Sequence, residues 1–419
     1  MTFKNTITTN LTTKFDIIES PNSSRINDKR GVGLFKTTVF SGPLKGHVIS
    51  ALDKSIAEEK LEASNYWAFQ LLLSGHANML FDKLISIASK QVNIANPKLP
   101  LFIYKKRLEW NRIKNNKLYD KSQIIHLRNN QDSRHILVEI VSLITLSRKR
   151  KLESIPKMKQ DDFTANYFKS KLEAKDTQMI DHILKEDDPS EIRIAANEFL
   201  YQLTKKNINK TLYWLSWILE WEKINTKKYK IFKVGARYNE GINHKFVHNV
   251  IWLIWDIINY VKKSDFDIDL ECHNQMNALY NHYCHEFTLG SKSKKSVFII
   301  WSIKFLTTPK CDWKLKLVER PYLYFHTLAN VNIMIKKIKP EEINRQIYND
   351  NKYKILVKNN NIVSENEGQQ RHLKEANMYK LYEKEKKQRI KEAKKKKVSV
   401  RSLDKMEQLH QIDKYVTFS

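Results

Sequence analysis

Apolar positions recur along most of this chain at intervals of three and four residues, the spacing of one face of an α-helix. The first such run follows Pro43 and carries Val48, Ile49, Leu52 and Ile56. A second carries Ala63, Tyr66, Trp67, Leu71 and Leu72 and stops at Ser74-Gly75, where glycine suits the left-handed conformation of a helix cap. A third holds Met79, Leu80, Leu84, Ile87 and Ala88, and Asn96-Pro97 closes that unit. The pattern lapses over 105–132, which is basic and reads as loop with Trp110 as its anchor. It resumes at Ile136, Leu137, Ile140, Val141 and Ile144. That helix runs into Arg148-Lys149-Arg150-Lys151, cations placed where a helix carboxyl end favours them.

Residues 152–187 are charged and read as a weakly packed helical linker. A strong helix start follows, with Asp188 as cap, Pro189 in the first turn and Glu191 at capping-box spacing. That helix continues through Ala195, Phe199, Leu200 and Leu203. The stretch Leu212 to Trp221 is apolar nearly all round and so predicts a buried helix. Residues 229–234 read as a short strand, and helices are expected over 244–262, 272–288 and 295–307. One or two short helices are expected over 321–360, with Pro340 between them. From 366 onward Lys and Glu dominate, with too few apolar residues for a core.

The pattern contains an internal echo. Tyr66-Trp67 and Tyr213-Trp214 lie 147 residues apart, and at the same offset a helix near Val48 matches one near Ala195. Each first helix is followed by a polar turn and a helix with Tyr-Trp in its middle, which suggests two related helical modules.

Composition narrows the class. Nine Gly and nine Pro in 419 residues are too few for the turns of a large β-barrel, sandwich or propeller. Three cysteines exclude a disulfide scaffold and fit an intracellular, reducing compartment. The most membrane-like stretch, Phe246 to Val261, is shorter than the roughly 20 apolar residues a span needs and carries His248, Asn249, Asp256 and Asn259. It reads as a buried helix of a soluble protein. The net charge of +28 attracts polyanions, nucleic acid first and anionic membrane surfaces second. An AT-rich coding sequence, which favours Lys, would supply part of that charge without any partner.

Residues 50–97 carry a resemblance. Ser50, Ala51, Lys54, Ser55 and Ile56, then Ala63, Tyr66, Trp67 and Ala68, then Leu84, Ile87, Ala88, Ser89, Ile94, Ala95, Asn96 and Pro97 follow in order. This block resembles the C-terminal helical, oligomerising region of the clamp-loader-like AAA+ ATPases of the RarA/MgsA/Werner-helicase-interacting family. The likeness covers about 50 residues, and Lys90-Gln91 stands where the family has an acidic pair. It implies a helical collar of the kind used in replication and repair machines, able to form a homo-oligomer or bind a replication or repair partner. The family's ATPase half has no counterpart here. The nearest look-alike of a phosphate loop, Gly290 to Ser296, lacks the second glycine and follows no strand. The whole chain is also similar to proteins of large DNA viruses that share this module and a Trp-rich second half. If viral, the protein would work in the nucleus or a cytoplasmic viral factory.

Candidate chemistry is sparse. Cys272, His273, His282, Cys284 and His285 form the densest set of metal-ligand types, with Cys311 at a distance, but no Cys-x-x-Cys occurs. Cys272, His282, Cys284 and His285 are therefore weak zinc candidates, and no cofactor is expected. Asp265, Asp267, Asp269 and Glu271 alternate as a magnesium-binding nuclease would use them, or as a solvated edge would. Trp214, Trp217, Trp221, Trp252 and Trp255 sit at helical spacing and read as core before they read as a base-stacking platform. Arg237, in a polar turn, is a candidate phosphate contact or an ordinary salt bridge. The clearest electrostatic feature is 371–401, with 13 Lys/Arg against 4 Glu. Its Lys384, Lys386, Lys387, Arg389, Lys391, Lys394, Lys395, Lys396 and Lys397 are the candidate nucleic-acid contacts; a nuclear-localisation run or a solvated helix are the alternatives. Leu403, Met406, Leu409 and Ile412 then form a short apolar stripe.

These readings predict an all-α, multi-helical fold. It has an irregular arm (1–45), a clamp-loader-collar-like module (46–150), a charged helical linker (151–187), a second Trp-rich module (188–360) and a basic helical tail (361–419). The expected function is a non-enzymatic helical scaffold that binds nucleic acid, DNA before RNA, in replication, repair or genome handling. An internal virion or assembly protein and a metal-dependent nuclease are the alternatives.

Overall fold

The computed structural model describes residues 24–339 apart from 29, 116–123, 230–231, 240, 266–267 and 309–310. Thirteen α-helices form among the described residues, and no strand does; Thr38 and Leu44 make one isolated antiparallel bridge. The first five are α1 (Lys45–Ala57), α2 (Leu61–Leu73), α3 (Ala77–Gln91), α4 (Leu99–Lys114) and α5 (Gln131–Leu146). A single turn, α6 (Ala165–Ser170), separates them from α7 (Arg193–Thr204), α8 (Ile208–Tyr229), α9 (Val250–Ser264), α10 (Leu270–Cys284) and α11 (Lys292–Thr307). The short helices α12 (Pro321–Ala329) and α13 (Val331–Ile338) complete the described chain. The fold is all-α, as the periodicity predicts.

The internal echo extends to the helix contacts and to the turns. In each set of five, the first two helices pair with each other and both lie on the fifth; the third packs on the second and fifth, and the fourth on the fifth. The turns between the paired helices match atom for atom at the 147-residue offset. Glu59 N donates to Ile56 O (3.2 Å) and Lys60 N to Ser55 O (2.9 Å); Lys206 N donates to Leu203 O and Asn207 N to Gln202 O, both 3.0 Å. Each is a Schellman cap, and Glu59 and Lys206 hold its left-handed position at φ 57° and 55°. Ser64 Oγ donates to Lys60 O (2.8 Å) as Thr211 Oγ1 does to Asn207 O (2.7 Å). The ring pairs Tyr66–Trp67 and Tyr213–Trp214 are both edge-on, with centroids 4.8 and 5.3 Å apart. The two sets join through α4 on α10 and α3 on α11, and one apolar core runs from Ile26 to Ile338.

Gly75 caps α2 at φ 77°, donating to Leu72 O at 2.9 Å, and a Cβ there would meet Val32 Cγ2 at 2.9 Å. Elsewhere the structure departs from the pattern. Residues 105–114 are the second half of α4, not loop. Its inward face is Leu99, Ile103, Arg107 and Trp110, so a buried arginine interrupts the apolar spacing that would have announced the helix. Residues 152–187 are mostly non-helical; their one α-helical turn is α6, and Phe163 and Phe168 pack on the Trp217 ring. The described residues of 229–234 form no strand: the chain folds back there so that Val234 N donates to His248 O at 3.0 Å. The described part of the N-terminal arm holds a 3₁₀ turn (Val32–Phe35), and its Ile26, Phe35, Val39 and Phe40 lie in the core.

Candidate functional site

Asp188 and Arg237 stand at the centre of the best-defined polar site. Asp188 caps no helix; α7 starts five residues later, behind a single 3₁₀ turn. Its carboxylate accepts instead from Lys185 N (2.9 Å), Gly235 N (2.8 Å), Arg237 Nη1 (2.9 Å) and Arg237 Nη2 (2.6 Å). Arg237 Nε donates to Asp256 Oδ2 on α9 at 2.7 Å, and Nη1 also reaches Gly235 O at 2.9 Å. Gly235 is required at this crossing, because a Cβ would lie 2.9 Å from Lys185 Cβ. The side chains of Arg237 and Asp188 are 2% and 1% exposed and that of Asp256 36%. Burial opposes all three charges. For Asp188 the Arg237 guanidinium and two backbone N–H groups prevail and hold its pKa below the usual carboxylate range. The two carboxylates prevail likewise at Arg237 and raise its pKa. At Asp256 burial wins over the single Arg237 contact, and its pKa is raised. Arg237 is thus a buried structural ion pair that ties 185–188 to α9, with no guanidinium face open to a phosphate.

The other candidates separate in space. Cys272 and Cys284 bound most of α10; twelve residues of helix advance about 18 Å, beyond one coordination sphere. His282 is buried, its Nε2 donates to Pro100 O at 3.2 Å, and its ring stands edge-on to Tyr104 at 5.6 Å. Burial drives its pKa far down, so the imidazole is neutral; His285 is lowered by burial too. Burial pushes the Cys272 thiol up to about 12 and those of Cys284 and Cys311 up to about 11. Among the described residues, no group of three or more His, Cys, Asp and Glu is gathered to hold a metal ion. Of the alternating acids, Asp265 pairs with Lys206 at 3.3 Å, Asp269 caps α10 by accepting from Cys272 N at 2.7 Å, and Glu271 accepts from Gln275 Nε2 at 2.8 Å. Asp267 lies outside the described residues. Trp214, Trp217, Trp252 and Trp255 are core, none more than 4% exposed, so they offer no platform for bases. Lys384, Lys386, Lys387, Arg389, Lys391 and Lys394 to Lys397 lie outside the described residues, as does the 403–412 stripe.

Periodicity did not reveal the buried cations of α4 and α11. Arg107, 3% exposed on α4, donates from Nη2 to Asp82 Oδ1 on α3 at 2.7 Å. Lys295 on α11 donates from Nζ to Tyr283 O (3.1 Å) and to His285 O at the end of α10. Burial lowers Lys295 to about 8. The sequence signal was an arginine at the apolar interval between Ile103 and Trp110.

No protein-family model matches the sequence, and neither a curated protein nor a solved structure matches the chain.

Proposed function

We propose that the protein is a non-enzymatic helical scaffold that associates with nucleic acid through its phosphates, in DNA replication, repair or genome handling. The observation that carries this reading is where the positive charge resides. Residues 340–419 hold 19 Lys/Arg and 12 Asp/Glu, so residues 1–339 keep +21 of the +28. Among the described residues only seven Lys/Arg and four Asp/Glu are buried. Burial therefore removes little of the surplus on the described helical body, and most of its Lys and Arg side chains reach solvent. A surface of that sign concentrates polyanions and steers their approach.

The burial of Trp214, Trp217, Trp252 and Trp255 supports phosphate contact over base stacking, and so little sequence preference. DNA as the preferred polymer, and replication or repair as the setting, rest on the resemblance of residues 50–97 to clamp-loader collars. The helical body would act as the rigid part.

The test is fluorescence anisotropy of the full chain with labelled duplex DNA, single-stranded DNA and RNA over a range of salt. Affinity should fall steeply, with a log–log slope near −0.9 per phosphate contact on duplex and about −0.7 on single strands. Deleting 370–401 lowers the net charge from +28 to +19, which should weaken binding and flatten the slope without abolishing it. No binding by the full chain near physiological salt would refute the reading.

A further inference from the structure

The strongest unassigned feature of the body is a row of cations where α3 and α5 end together. Beyond Leu146 the chain leaves α5 without helical structure and runs along the carboxyl end of α3. Arg150 N donates to Gln91 O at 2.6 Å, Leu152 N to Lys90 O at 3.0 Å, and Asn93 Nδ2 to Arg150 O at 2.5 Å. These bonds pin Arg148 to Lys151 beside Lys90, although nearly 60 residues separate them in sequence. Lys90, Arg148, Arg150 and Lys151 are all exposed.

Complementing helix dipoles accounts for Lys90, which lies in the last turn of α3, but not for the cations that follow α5. Cations suit helix carboxyl ends, and at α5 Lys149 already fills that role. Its Nζ donates to Ile144 O (2.8 Å), Thr145 O (2.7 Å) and Ser147 O (2.8 Å). Arg148 pairs with Glu319 at 3.2 Å but stays 71% exposed. Lys90, Arg150 and Lys151 have no carboxylate partner among the described residues. Holding cations side by side without counter-charges is unfavourable, and an anionic ligand relieves it.

We propose that Lys90, Arg150 and Lys151, flanked by Arg148, form a contact site for the phosphodiester backbone of nucleic acid on the folded body. This rests on the nucleic-acid reading above and gives it a place distinct from the 371–401 run. Three neutralised phosphates would contribute about −2.7 to the duplex salt slope and about −2.1 on single strands.

The experiment compares three full-length proteins on a labelled DNA duplex over a range of salt: the wild type, Lys90→Gln/Arg150→Gln/Lys151→Gln, and Lys157→Gln/Lys227→Gln/Lys294→Gln. The last set removes the same charge from exposed lysines elsewhere. All substituted side chains are exposed, and circular dichroism checks that each protein folds. The expected result is a slope flattened by up to about 2.7 in the first variant and by less than about 1 in the second. In the wild-type complex, duplex should protect Lys90 and Lys151 from acetylation and leave Lys157 reactive. Binding by the wild type with equal losses in both variants, or with Lys90 and Lys151 unprotected, overturns this site and leaves the functional reading standing. No binding by the wild type overturns the functional reading itself.

Discussion

Arg237→Met separates the structural role of Arg237 from any role in binding. The substitution keeps an unbranched apolar stem and removes a guanidinium that is 2% exposed and bonded to Asp188, Asp256 and Gly235 O. Breaking a buried pair from one side costs about 3–5 kcal/mol, because the remaining charge stays buried. Asp188 would keep two backbone donors, Lys185 N and Gly235 N, and Asp256 is 36% exposed and can be hydrated. The loss should therefore fall at the low end, about 3 kcal/mol. Adding Asp188→Asn removes the stranded carboxylate, so the double variant should be less destabilised than the sum of the two single ones. Denaturant titration followed by circular dichroism and tryptophan fluorescence measures the loss, and anisotropy measures DNA affinity of the folded fraction. If Arg237→Met matched wild-type stability within about 0.5 kcal/mol while DNA affinity dropped, the buried-ion-pair account would be refuted.

The same site predicts a pH dependence. Asp188 has a folded pKa below its unfolded value, so its contribution is present at neutral pH and is lost as pH falls through that lowered pKa; Asp188→Asn should flatten this acid limb in denaturation curves measured at several pH values. Asp256, with a raised pKa, acts in the opposite sense, and Asp256→Asn should steepen the limb. With their pKa values raised to about 11 or 12, the three thiols should react slowly with Ellman's reagent at pH 8 in the native protein and rapidly in guanidinium chloride; fast native labelling would contradict their burial. Glu59→Gly and Lys206→Gly should each stabilise the protein by about 0.5–1 kcal/mol, since a left-handed non-glycine residue is strained by about 1–2 kcal/mol and the partly exposed pairs with Arg320 and Asp265 are worth less. Destabilisation at both positions would argue against equivalent caps.

The helices and the matching turns of the two Tyr-Trp hairpins were legible in the sequence because both are local. An apolar face repeats every three to four residues wherever a helix is half-buried, and Tyr-Trp at a fixed offset from a preceding helix marks the two hairpins with matching turns. Gly75 was legible for the same reason, since a left-handed cap is a property of one residue and its neighbours. Where a charged residue took an inward position, as Arg107 does on α4, the periodicity broke and the helix went unread. The 152–187 segment failed in the reverse way. Its charged composition suits a helix, but its aromatic residues dock on α8 from a mostly non-helical chain.

Charge partners lay beyond the reach of the sequence altogether. Asp188 looked like a helix cap because capping residues are recognised by their neighbours, yet its partners come from 185 and from 235–237. Arg237 in a polar turn looked exposed, and only the crossing of that turn over α9 and residue 185 buries it. The same holds for the cations at the ends of α3 and α5. The sequence shows a basic run after one helix and a lone lysine in another, and nothing local says that they meet. Two backbone bonds across nearly 60 residues make that decision, because which charges become neighbours depends on the path of the whole chain, whereas helical periodicity depends only on the next turn.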